Sequence, residues 1–148
     1  MDNARPVTDL TILVVEDDPD MRAILKAFLL REGYLVLEEA RGDRAGLLVE
    51  SVRLDAAIVD KEIPGMNGLE LLSLFRLRRP EVPIILITAF GGPTVAEEAL
   101  RRGARYYVEK PFRVTQILAA VERLVNRPKT PSWHPDVRPD PPPGASEL

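Results

Sequence analysis

Four short apolar runs, each ending at polar residues, constrain the fold of this chain more than any other feature. They cover residues 12–15, 56–59, 84–87 and 106–108 and are rich in β-branched or aromatic residues, as buried parallel strands are. The polar residues that follow are Glu16-Asp17-Asp18, Asp60, Thr88-Ala89 and Lys110-Pro111. Ligand sites in open α/β sheets lie at the carboxyl ends of strands. We therefore expect a carboxylate cluster, a hydroxyl and an ammonium group to meet at one sheet edge.

Helical periodicity separates these runs. Asp18 is placed to cap a first helix with Pro19 in its first turn, and Gly33 is a natural stop. Its predicted buried stripe is Met21, Ile24, Leu25, Phe28 and Leu29. A strand is expected at residues 34–37, and further helices at 43–53, 69–78, 94–102 and 114–125. Five alternating strand–helix units predict an α/β fold with a doubly wound parallel sheet.

The composition allows one globular domain. The chain has 148 residues, of which 45% are hydrophobic, enough for one sizeable core. Seven of its fourteen prolines lie in the last 21 residues. We predict an N-terminal extension at 1–9, the domain at 10–127 and a disordered or extended Pro-rich tail at 128–148.

Charge and composition argue against several classes of protein. The net charge of −3 and the scattered basic residues do not favour direct nucleic-acid binding. The absence of Cys excludes disulfides and thiolate metal sites. We find no apolar stretch of about 18 residues and no signal-peptide core. We expect a soluble, cytoplasmic protein without membrane contacts.

The residues at the strand ends are suited to phosphoryl transfer. Glu16, Asp17 and Asp60 would repel one another in a cleft, and Mg²⁺, which prefers oxygen ligands, would relieve that repulsion. Asp60 stands alone at the end of the central strand, which makes it the candidate nucleophile. The Thr88 hydroxyl and the Lys110 ammonium can each bind a phosphoryl oxygen.

As an ordered set, these motifs resemble the receiver domain of bacterial response regulators in two-component signalling. The resemblance covers about residues 10–126 and rests on residues 14–18, 59–60, 63–68, 88–89, 103–104 and 110–112. It implies a flavodoxin-like (βα)5 fold with a five-stranded parallel sheet in the order 2-1-3-4-5. It also implies a protein that accepts a phosphoryl group and catalyses only its own phosphorylation and dephosphorylation, without being a metabolic enzyme.

The resemblance assigns roles to the acidic residues. Asp60 is expected to be the phosphoacceptor. Glu16 and Asp17 are expected to bind Mg²⁺ together with Asp60. A third protein ligand is expected from the backbone carbonyl of Glu62, two residues beyond the acceptor.

It also assigns the phosphoryl site and a switch. Thr88, Ala89 and Lys110 would bind the phosphoryl group, and the Lys110-Pro111 bond would be cis. Thr88 would move toward the phosphoryl group while Tyr107 rotates inward. The change would alter a surface of the fourth helix, fifth strand and fifth helix, at about 94–125, which a downstream protein reads.

The implied partners are a histidine kinase or a histidine phosphotransfer protein, with a homodimer on phosphorylation as a further expectation. Glu16 replaces the commoner Asp of the family, and Ile63 and Asn67 replace its usual Met and Asp. We hypothesise that Glu62 and Phe90 restrict the attacking water and lengthen the lifetime of the phosphoryl group.

Four alternatives differ from a stand-alone phosphoacceptor. A flavodoxin-like cofactor binder needs a Gly-rich or hydroxyl-rich phosphate loop where this chain has three acids. An aspartate-based phosphatase could use Asp18-Pro19-Asp20 or Asp60-Lys61-Glu62, but the chain has no insertion for a cap. The chain could also be a piece of a longer regulator with a DNA-binding or enzymatic effector domain. Finally, it could be an interaction module that works without phosphorylation.

Overall fold

Five strands alternate with five helices in the structure, a computed structural model that describes residues 9–125. Residues 1–8 of the predicted extension and the whole predicted tail at 128–148 lie outside this range. The elements are β1 (Thr11–Val15), α1 (Pro19–Arg31), β2 (Leu35–Glu39), α2 (Gly42–Ser51), β3 (Ala56–Asp60), α3 (Gly68–Arg78), β4 (Ile84–Thr88), α4 (Pro93–Arg101), β5 (Tyr106–Glu109) and α5 (Val114–Val125). Their bounds lie within two residues of the predicted ones.

The strands form one parallel sheet in the order β2-β1-β3-β4-β5, which confirms the predicted fold class. α2, α3 and α4 pack on one face, and α1 and α5 pack on the other. Every residue of β3 and β4 is buried, as expected for central strands that are covered on both faces. Asp60 pairs in register with Ile87, so β3 and β4 end side by side.

Helix α1 starts as predicted, although its buried face is narrower than the predicted stripe. Asp18 accepts a hydrogen bond from the Asp20 amide, and Pro19 is the first helical residue. Leu25 and Leu29 are buried, whereas Ile24 is 42% exposed, so the prediction for Ile24 was wrong. At about 100° per residue, Ile24 lies roughly 120° around the helix from the direction midway between those two leucines.

The loop after β3 is held against the start of α2 by a close backbone approach at Gly42. The Gly42 amide donates to the Pro64 carbonyl at 2.9 Å, and a Cβ atom at Gly42 would overlap the carbonyl oxygen of Met66. A Cβ atom at Gly46, one turn later, would lie 3.2 Å from Leu74 Cδ2, and that atom ends a side chain that can adjust.

We therefore expect Gly42→Ala and Gly46→Ala to have different effects on stability. Gly42→Ala should lower the free energy of unfolding by about 2 to 3 kcal/mol because backbone must move. Gly46→Ala should change it by less than about 1 kcal/mol, since better helix propensity offsets the contact with Leu74. Urea denaturation of both variants measures the difference, and equal losses would contradict the assigned backbone contact.

Candidate functional site

Asp60 is the last residue of β3 and lies in a buried, hydrogen-bonded position at the carboxyl edge of the sheet. Its side chain is 2% exposed, and Oδ2 lies 2.7 Å from Lys110 Nζ. Oδ1 accepts a hydrogen bond from the Glu62 amide at 2.9 Å. Lys110 directly follows β5, and the Lys110-Pro111 bond is cis, as the family resemblance implied. The predicted acceptor and the predicted cation are therefore in direct contact.

The acids that follow β1 complete a carboxylate cluster with Asp60. Glu16 is fully buried, and its Oε1 lies 3.0 Å from Lys110 Nζ, while Oε2 accepts from the Asp18 amide at 3.1 Å. Asp17 is exposed. One carboxylate oxygen from each of Glu16, Asp17 and Asp60 lies within 4.8 Å of the others. This donor set is suited to a hard divalent cation, which fits the sequence-based prediction.

The electrostatics of the cluster follow from burial and from like charge. Burial, followed by the hydrogen bond with Glu16, raises the pKa of Asp60 to about 7, although Lys110 acts in the opposite direction. Burial lowers the pKa of Lys110, but the hydrogen bonds to Asp60 and Glu16 outweigh it and the net shift is upward. Lys110 is therefore a firmly charged cation between two buried acids.

Glu62 has a contact that the sequence did not predict. Its Oε2 accepts the Thr88 hydroxyl at 2.6 Å, and its Oε1 accepts the Ala89 amide at 3.0 Å. Lys61 Nζ lies 3.0 Å from the same Oε2. The predicted phosphoryl donors Thr88 and Ala89 are thus near the acceptor's loop, but both are bound to a carboxylate. The sequence suggested a backbone carbonyl ligand at Glu62 and a charge that restricts the attacking water, but not a side chain bound to Thr88 and Ala89.

The loop after β4 is ordered by Thr88 as well. Thr88 is fully buried, and its Oγ1 accepts the amide of Phe90 at 3.0 Å. The Phe90 side chain itself is 72% exposed. The hypothesis that Glu62 and Phe90 restrict an attacking water and lengthen the lifetime of the phosphoryl group stays a prediction.

Tyr107 lies on β5 and is tied to the far end of this loop. Its ring is buried, its hydroxyl donates to Glu109 Oε2 at 3.0 Å, and it accepts the Gly92 amide at 3.2 Å. Glu109 Oε2 also accepts the Gly92 amide at 3.0 Å. A Cβ atom at Gly91 would overlap the Tyr107 hydroxyl, which explains why glycine stands there. No spacing rule in the sequence identified Glu109.

Burial raises the pKa of Tyr107 to about 12, and the neighbouring carboxylate of Glu109 adds to that shift. The phenol is therefore neutral and available as a hydrogen-bond donor.

Among residues 9–125, no helix combines the length and the apolar content needed to cross a membrane.

Comparison with known proteins decides the family. Residues 12–122 match the family model of the response regulator receiver domain. The chain belongs to this family. It is a receiver domain of two-component response regulators, and its strand order and acidic cluster agree with that membership. The cofactor-binding and phosphatase alternatives are thereby set aside.

Relatives of this receiver differ in overall length. The transcriptional regulatory protein TcrA of Mycobacterium tuberculosis is 35% identical over 139 residues, which are 91% of this chain and 55% of TcrA. Sporulation initiation phosphotransferase F of Bacillus subtilis is 32% identical over 114 residues, covering 77% of this chain and 92% of that protein. The chain thus spans about half the length of TcrA but most of the phosphotransferase.

A solved structure is similar to this receiver in the same region. The receiver domain of sensor histidine kinase PA1611 from Pseudomonas aeruginosa is 30% identical with a TM-score of 0.72, covering 79% of this chain and 98% of that chain. That structure has a magnesium ion coordinated in its active-site cleft.

Proposed function

We propose that Asp60 of this receiver accepts a phosphoryl group from a histidine kinase or a histidine phosphotransfer protein. The observation that carries this proposal is the contact of buried Asp60 with Lys110 at 2.7 Å, beside the acidic residues that follow β1. A carboxylate oxygen of Asp60 would attack phosphorus and form an acyl phosphate. The bond from phosphorus to the donor nitrogen would break, and its electron pair would stay on the donor imidazole.

The surrounding groups are suited to stabilise the transferred charge. Lys110 can bind one phosphoryl oxygen while it keeps its contact with the acidic cluster. The Thr88 hydroxyl and the Ala89 amide can donate to the other oxygens. Transfer of this kind depends mainly on positioning and charge stabilisation, so these groups need no further covalent chemistry. The reaction is the protein's own phosphorylation and dephosphorylation, not turnover of a metabolite.

The site fits Mg²⁺. Glu16, Asp17 and Asp60 present carboxylate oxygens that lie close together, and the backbone carbonyl of Glu62 is a proposed additional ligand. When bound, the ion would neutralise the carboxylates and help to bind phosphoryl oxygens. The related receiver with magnesium in its cleft supports this assignment.

We also propose that the signal leaves through protein contacts. The hydrogen bonds of Tyr107 and Glu109 to Gly92 connect the loop after Thr88 with β5. This connection supports a switch that involves Thr88 and Tyr107 and a binding surface at residues 94–125. A homodimer formed on phosphorylation and a cytoplasmic location stay predictions.

A second candidate output is an attached effector domain. The similarity to TcrA, a transcriptional regulatory protein of which this chain spans 55%, supports it. The similarity to the sporulation phosphotransferase, of which the chain spans 92%, supports a relay receiver instead. Phosphoryl acceptance at Asp60 is common to both.

Intact-mass measurement with acetyl phosphate, with and without Mg²⁺, tests the phosphoacceptor function. We expect one added phosphoryl group that requires Mg²⁺, with borohydride reduction locating it at Asp60. If neither acetyl phosphate nor a phosphorylated histidine phosphotransfer protein produced an adduct, the proposal would be wrong. The phosphorylation-independent interaction module would then be favoured.

A further inference from the structure

The two hydrogen-bond donors that we assign to the phosphoryl group already donate to a carboxylate of the protein itself. The Thr88 hydroxyl and the Ala89 amide each donate to a different oxygen of the Glu62 carboxylate, at 2.6 and 3.0 Å. Each donor has a single hydrogen to give. A phosphoryl oxygen can therefore use either donor fully only after Glu62 has left it.

Glu62 is held next to the acceptor by its own backbone. Its amide donates to Asp60 Oδ1 at 2.9 Å, so the two residues share one hydrogen-bonded turn at the end of β3. From this anchor the side chain of Glu62 crosses to the end of β4 and joins residues 26 positions apart in the chain. Partial burial works against its ionisation, but the bonds from Thr88, Ala89 and Lys61 hold the pKa of Glu62 below its usual range. The side chain is therefore anionic at neutral pH.

We infer that Glu62 is a positioning residue that competes with the phosphoryl group for Thr88 and Ala89 and thereby slows phosphorylation. Before phosphorylation it holds both donors in place. During phosphorylation it must move away, because two anions would otherwise meet at the same donors. This inference rests on the proposed phosphorylation of Asp60.

The structure gives Glu62 a route out of the site. Its side chain is 31% exposed and its partner Lys61 is 23% exposed, so both can turn into solvent together. Thr88 keeps the hydrogen bond from the Phe90 amide, which is independent of Glu62. Displacement of Glu62 therefore frees the donors without dismantling the loop after β4.

Three variants separate competition for donors from simple charge repulsion. Glu62→Ala removes both the charge and the acceptor oxygens. Glu62→Gln removes the charge but keeps one carbonyl oxygen that can accept from Ala89 or Thr88. Glu32→Ala, at an exposed position at the end of α1, is the control for loss of a surface glutamate.

The first readout is the initial rate of Mg²⁺-dependent phosphorylation by acetyl phosphate, followed by intact mass. We expect Glu62→Ala to react about tenfold faster. A ratio of about tenfold corresponds to roughly the free energy of one hydrogen bond to a charged group. Glu62→Gln should show a smaller increase because part of the competition persists. Glu32→Ala should react at the wild-type rate.

The second readout is the amide proton of Ala89 in NMR spectra. We expect its resonance to lie downfield in the free wild-type protein and further upfield in free Glu62→Ala. When beryllofluoride is added to Glu62→Ala as a phosphoryl mimic, the resonance should return downfield. A change in stability alone would not produce this pattern.

The possible failures are distinguishable. An adduct at Asp60 with equal rates for wild type and Glu62→Ala would overturn the role of Glu62 and leave the phosphoacceptor function intact. Equal acceleration in Glu62→Ala and Glu62→Gln, with the Ala89 resonance unmoved in both, would show charge repulsion and overturn the competition. If no variant formed an adduct with either acetyl phosphate or a phosphorylated histidine phosphotransfer protein, the proposed function and this inference would both be overturned.

Discussion

Asp60→Asn is expected to lower the rate of adduct formation by about 100-fold or more, because an amide oxygen cannot replace the carboxylate that we propose as the nucleophile. Asparagine has nearly the same shape, and its carbonyl oxygen can still accept the Glu62 amide. The loss would therefore report chemistry rather than a collapsed site. Intact-mass time courses with acetyl phosphate and Mg²⁺ measure the rate.

Asp43→Asn is the matched control, since Asp43 is an exposed aspartate on α2 that pairs with Arg41. It should form the adduct at the wild-type rate. A persistent adduct in Asp60→Asn would move the acceptor to another residue, and peptide mapping would locate it.

Asp60→Asn should also change how the free energy of unfolding of the metal-free protein depends on pH. The pKa of Asp60 is about 7 in the fold and near 3.8 unfolded, so the folded state binds more protons between these values. The free energy of unfolding of the wild type should then decrease as the pH rises through this window. The amide that Asp60→Asn introduces does not titrate, so the variant lacks this contribution.

We compare the two proteins by the free energy of unfolding of Asp60→Asn minus that of the wild type. We expect this value to be about 2 kcal/mol higher at pH 8 than at pH 5, because only the wild type loses the contribution of Asp60 over that range. Urea denaturation in EDTA at both pH values measures this difference. An equal difference at both pH values would mean that Asp60 has an ordinary pKa in the fold.

Lys110→Met should have the second largest effect, because Lys110 contacts both buried carboxylates of the site. Without Mg²⁺ at pH 8, its loss leaves Glu16 and Asp60 facing each other without that cation. We expect the free energy of unfolding to fall by about 3 kcal/mol, as when one partner of a buried ion pair is removed. Methionine keeps much of the side-chain volume, so packing contributes little.

Phosphorylation should also slow by about 100-fold in Lys110→Met, because the charged donor that we propose for the transferred group is missing. Lys26→Met is the control for stability. Lys26 pairs with Glu38 at the surface, where such pairs contribute about 1 kcal/mol or less. If Lys110→Met were no more destabilising than Lys26→Met, the contacts of Lys110 with the two acids would not stabilise the fold.

Much of the architecture was predictable because it depends on local patterns. Apolar runs followed by capped, periodic segments predict strands and helices wherever neighbouring residues decide the conformation. Asp18 and Pro19 start α1 as expected. The strand order, in contrast, came from the family resemblance, since local periodicity does not specify which strands pair.

The site was predictable to the extent that it depends on strand ends. Asp60 and the acids after β1 could be placed at one edge because parallel strands share a direction. Lys110 could be placed there for the same reason. That rule locates a residue at an edge, but it does not say which side chains touch.

Residue types and their spacing along the chain account for the alternation of elements and for the chemical groups at the carboxyl edge. The folded structure was needed to find that Glu62 binds Thr88 and Ala89, that Glu109 and Tyr107 hold Gly92, and that Ile24 faces solvent. These features join residues on different strands or depend on how a helix is rotated against the sheet. The direction in which a side chain points toward another strand or helix is set by packing of the whole domain, which no local pattern encodes.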